Sequence, residues 1–73
     1  MNLKKYAVVI ERTGANYSAY SPDMPGCIAT GRTVQETQQN FQAALQFHLD
    51  GLRSDGPPIP EPTSVTAHVS VAA

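Results

Sequence analysis

Few residues in this chain are of types that could do chemistry. Cys27, Asp23 and His48 are the kinds of side chain that serve as thiol nucleophile, orienting carboxylate and general base. No local motif brings them together. His48 falls on the apolar side of its segment beside Leu45, Leu49 and Leu52, where a histidine is more often a packed residue than a base. Two-metal hydrolysis needs several carboxylates converging on the ions, yet the acids Glu11, Asp23, Glu36, Asp50, Asp55 and Glu61 are scattered along the chain. His48, His68 and Cys27 lack any short ligand spacing for a metal. No catalytic residue, metal ligand or cofactor is assigned, and a non-enzymatic binding role is expected.

The side chains suited to binding are easier to place. Tyr17 and Tyr20 have opposite strand parity, so one should face the core and the other outward, and an exposed tyrosine beside a stiff loop suits a contact hot spot. Asp23, between Pro22 and Pro25, either pairs with a basic partner or caps its own turn. Met24 is a soft anchor if exposed, or a plug at one end of the core. Tyr20, Asp23 and Met24 are taken as the partner-binding set. Ala43 and Phe47 lie i, i+4 on the side of the helix away from its apolar stripe and are assigned to an oligomer interface.

These residues need elements to position them. From Val34, the side chains of Thr37, Phe41, Leu45, His48, Leu49 and Leu52 fall within about 120° at helical spacing, the stripe of a helix laid on a core. Thr33 and Glu36 form a capping box at its start, and Gly56 followed by Pro57 supplies the stop. Upstream, residues 4–12 alternate with apolar residues on both faces, as a central strand does. Residues 13–16 turn, and 17–20 return as the second strand of a hairpin. Residues 21–27 hold two prolines and a glycine and read as a rigid loop. Residues 28–32 form a short third strand. After the helix, 57–62 is a proline-rich strap, and 65–71 shows the cleanest alternation in the chain, with Val65, Ala67, Val69 and Val71 inward. The expected fold is α+β, βββαβ, with one helix on a four-stranded mixed sheet. A right-handed crossover places the last strand beside the first, in the order 3-2-1-4.

A chain of 73 residues makes one domain, 1–73, and buries only about 60% of its unfolded surface. With 41% hydrophobic residues it is expected to be marginal alone and to form a homo-oligomer, a dimer or tetramer. A net charge of −1 gives no footprint for phosphate backbones. The single cysteine excludes an intrachain disulfide, and without a signal peptide or long apolar run no membrane association is expected and the location is read as cytoplasmic.

The pattern Tyr17-x-Ala19-Tyr20-x-Pro22-Asp23-Met24-Pro25-Gly26-Cys27, followed by Thr30, Arg32-Thr33, Glu36, Asn40, Ala44, His48-Leu49 and Pro58-Ile59-Pro60-Glu61-Pro62, resembles the HicB family of antitoxins over roughly residues 5 to 65. That resemblance implies a partial ribonuclease-H-like fold without nuclease activity. It also implies a small basic toxin partner of the HicA type, a messenger-RNA interferase whose active site the antitoxin covers. Family members often carry a C-terminal DNA-binding module. None follows Ala73 in this sequence, so the reading is of a solo form from which direct DNA binding is not expected. The competing function is a stand-alone homo-oligomeric module whose grooves bind a small ligand or single-stranded RNA.

Overall fold

The computed structural model describes residues 3–56 and 58–73. Three strands, β1 (Val9–Thr13), β2 (Asn16–Ser21) and β3 (Met24–Gly31), form an antiparallel sheet in the order β1-β2-β3, and one helix, α1 (Val34–Asp55), lies across it. The hairpin turns at Gly14 and pairs Val9 with Tyr20 and Thr13 with Asn16. Alternation then sets the faces. Ile10, Ala19, Cys27 and Ala29 face α1, and Val9, Tyr20 and Ile28 run in one row across the open side.

The helix follows its sequence signals closely. Thr33 is extended at the N-cap and its Oγ1 accepts from the Glu36 backbone N–H at 3.0 Å. The reciprocal half differs from a standard capping box, since the Glu36 carboxylate accepts from the N–H of Arg32, at 3.1 Å, rather than from Thr33. At the other end Gly56 adopts φ 91° and its N–H reaches the Leu52 carbonyl at 3.0 Å, a left-handed stop. Pro57, the other half of the expected stop and the first residue of the strap, lies outside the described residues.

Thr37 and Phe41 are buried against the sheet with Ala19, Met24 and Cys27, and Leu45, Leu49 and Leu52 pack at the margin. The helix lies tight against the sheet where Gly31 meets Thr37. A Cβ on Gly31 would sit 2.6 Å from Thr37 Oγ1 and 2.8 Å from its backbone nitrogen. The Thr37 hydroxyl is itself held, donating to the Thr33 carbonyl at 2.6 Å. Asn40 ties the same junction by donating from Nδ2 to the Thr30 carbonyl at 2.8 Å.

Two expectations are corrected. The third strand begins at Met24 rather than Ile28, because an irregularity after Tyr20 absorbs Pro25, Gly26 and Cys27, and a proline costs no ladder bond on an outer strand. Residues 65–71 form no strand, and Val65, Val69 and Val71 are exposed at 92%, 86% and 79%. Among the described residues the sheet therefore has three strands, and β1 is an edge strand where a central one was expected. The physical reason is that an alternating pattern specifies which face is buried but not which edge is paired.

Substituting Gly31 by alanine forces the helix off the sheet and should destabilise the fold by about 1–3 kcal/mol. Gly51→Ala, at a helical position with open space around it, should stabilise by about 0.5–1 kcal/mol. Urea denaturation of the two variants beside the parent checks both signs.

Candidate partner-binding surface

The turn between β2 and β3 is the most heavily bonded place on the surface. Asp23 Oδ2 accepts from the backbone N–H groups of Thr63 and Ser64 at 3.1 and 2.9 Å, and Oδ1 accepts from their hydroxyls at 3.1 and 3.0 Å. The bonds from Ser64 lead in holding the Asp23 carboxyl below its usual range, with those from Thr63 adding and partial desolvation opposing. The Asp23 N–H in turn donates to the buried Ser21 Oγ at 3.3 Å. Asp23 thus neither caps its own turn with its carboxylate nor leaves that carboxylate free; it fastens the chain after the strap. Two further contacts fix the strap itself, Tyr6 Oη donating to the Pro60 carbonyl at 2.7 Å and Lys4 pairing with Glu61 at 2.8 Å.

Around this turn the other candidates separate. Met24 is 1% exposed and plugs the core beneath the turn. Tyr20 is 42% exposed on the open face, while Tyr17 on the opposite face is half-buried, as their parity requires. Ile28 pairs with Tyr20 across β2 and β3 and is 68% exposed, so the two form a continuous apolar step. Ile28 went unassigned at the sequence level because a lone isoleucine in a strand carries no sign of which face it takes. Ala43 is exposed on α1, and Phe47, exposed at 82%, stands at the flank of the helix beside β3. A cleft of about 380 Å³ between α1 and β3 links Ile28 to Phe47 and is lined by Cys27, His48 and Asp55 as well.

Cys27 and His48 therefore share a cleft, and Asp23 stands apart from them at the strap. Burial pushes the Cys27 thiol above its ordinary range, the opposite of what activates a thiolate nucleophile. No cluster of three His, Cys, Asp or Glu side chains able to hold a metal ion occurs among the described residues. No described helix is long and apolar enough to cross a membrane. What the surface offers is an apolar step on a rigid sheet, bordered by a fastened turn and an exposed phenylalanine.

The family model described as HicB-like antitoxin of bacterial toxin-antitoxin system matches residues 6–72. A protein of Haemophilus phage HP1, known as an uncharacterized 14.9 kDa protein in the rep-hol intergenic region, is 29% identical over 65 residues, covering 89% of this chain and 49% of its own length. The chain thus spans about half the length of that phage relative. A UPF0150 protein of Synechocystis sp. is 27% identical over 67 residues, covering 90% of this chain and 85% of its own. Another from Thermoplasma acidophilum is 28% identical over 67 residues, covering 88% and 97%. No solved structure matches the chain.

Because its carboxyl is held low by bonds present only in the folded chain, Asp23 contributes stability above the unfolded carboxyl range, near pH 4, and loses it as pH falls through the lower folded value. Amide exchange at Thr63 and Ser64 should be slow at pH 7 in the parent and fast in Asp23→Ala. An NMR titration should place the Asp23 carboxyl below the ordinary aspartate range.

Proposed function

Because the chain belongs to the HicB-like antitoxin family of bacterial toxin-antitoxin systems, we propose that it binds a small basic HicA-type messenger-RNA interferase in the cytoplasm and neutralises it by covering its active site. The observation that carries this reading is the family match across residues 6–72, which takes in the sheet, the helix and the strap together. Membership of an antitoxin family points to a non-enzymatic role, and the raised thiol range of Cys27 fits it.

Tyr20 is the contact we assign to the toxin, with Ile28 extending it. Asp23 and Met24 serve the same contact from behind, one fastening the turn to the strap and the other filling the core beneath it. A rigid aromatic on a prepared surface loses little conformational freedom on binding. The acidic Asp55 beside Phe47 adds a charge of the sign a basic partner would meet. The antitoxin works as a homo-oligomer, a dimer or tetramer, with the exposed Ala43 and Phe47 face of α1 as a contact between copies.

If a small basic toxin is encoded beside it in its host, co-expression with that protein should restore growth, and the purified pair should show no RNA cleavage. Tyr20→Ala should weaken the complex by about 2 kcal/mol or more, roughly 30-fold in Kd by calorimetry. A pull-down from the host that recovers no small basic protein, or a complex that still cleaves RNA at the free toxin's rate, would overturn the proposal.

A further inference from the structure

The two edges of the sheet are not alike. On β3 the outer edge is blunted three ways: Pro25 has no N–H to offer, a bulge follows Tyr20, and Asn40 occupies the Thr30 carbonyl. The free edge of β1 has none of these devices, and no backbone hydrogen bond among the described residues reaches it from outside the sheet. Beside it lie residues 65–71, alternating valine or alanine with Thr66, His68 and Ser70, exposed and, among the described residues, without a backbone hydrogen bond to another element.

The tail is brought to that edge and then stops short of it. Asp23 fastens Thr63 and Ser64 at the end of β2, and from there residues 64–68 face residues 7–10 across a cleft of about 470 Å³. One wall includes the first residues of β1, and the other is the start of the tail, which forms no strand. Ile10 on the core side of β1 and Val8 just before the strand are only half-buried, so the core is unfinished at that margin.

We infer that residues 65–71 of one copy add as a strand to the free edge of β1 in a second copy, and that the exchange is reciprocal about a two-fold axis. The inference rests on the homo-oligomer reading above and deepens it by naming the segment exchanged and the edge that receives it. Strand addition satisfies the backbone groups of both edges at once, and the tail's alternation lets Val65, Ala67, Val69 and Val71 continue the row of Val8 and Ile10 over the core. Seven residues of strand extend about 23 Å, enough to run along β1 and the residues before it. A second copy is the occupant because tail and edge occur on the same chain in equal number, so that a two-fold exchange closes and leaves neither exposed. Each copy would then hold a four-stranded sheet in the order 3-2-1-4, with its last strand supplied by the other.

The test is sedimentation equilibrium of the full chain with two variants, joined to NMR on a mixture of labelled and unlabelled protein. Val69→Pro removes a ladder N–H at an exposed site, so it should halve the mass of the assembly while the helical circular dichroism stays unchanged. Phe47→Asp should leave the exchanged pair intact. Intermolecular contacts between the valine methyls of the tail and β1 amides are expected in the mixed sample. An assembly that survives Val69→Pro and dissociates in Phe47→Asp overturns the exchange while leaving an oligomer through the helix face. A parent that is monomeric at 100-fold micromolar dilution steps overturns both, and contacts found only within one chain show the tail closing on its own β1 and overturn the exchange.

Discussion

One helix cannot finish a three-stranded sheet in so short a chain, and this shortfall governs the rest of the molecule. Among the described residues the buried apolar side chains are Ala19, Met24, Cys27 and Phe41. The larger aliphatics that would normally complete the core, Val8, Ile10, Leu45, Leu49 and Leu52, sit half-buried at its rim. Stability that scales with buried apolar area is correspondingly small. The exposed row of Tyr20 and Ile28, the outward Phe47 and the valines of the tail are the same shortfall seen from outside. Under the proposed function, other chains supply the remaining burial.

The fastening of the strap by Asp23 determines how that surface is presented. Four short hydrogen bonds to one carboxylate, with the Tyr6 bond and the Lys4–Glu61 pair upstream, hold the segment that leaves α1 against the sheet before it reaches the tail. Prolines at 58, 60 and 62 stiffen what lies between. The start of the tail is therefore placed before any partner arrives, and ordering it on association costs less entropy than ordering a free terminus would. The same turn carries Tyr20 and Met24 on its flanks, so the tail and the proposed toxin contact are mechanically one unit.

Much of this was legible in the residues alone, for identifiable reasons. The helix, its caps, the hairpin and the opposite facing of Tyr17 and Tyr20 all follow from local periodicity and turn chemistry, which act over a few residues. Asp23 was seen as a residue of consequence, yet its partners lie 40 and 41 positions away, and nothing local distinguishes a carboxylate that caps its own turn from one that fastens a distant strap. Pro25 was taken to exclude a strand, and its position on an outer strand beside a bulge removes the objection. The tail was read as a fourth strand and residues 65–71 form none in the structure, because alternation specifies which face a strand would bury and not which edge it would pair with. Ile28 needed the register with Tyr20 before its exposure could be known.

If the missing burial is supplied by other chains, protection of the tail must depend on how many chains are present. Hydrogen exchange of the protein alone, followed across a dilution series, measures this directly. Slow exchange at residues 65–71 and along the free edge of β1 at high concentration, lost together on dilution while α1 stays protected, is the expected result. Exchange at those residues that is independent of concentration would contradict it.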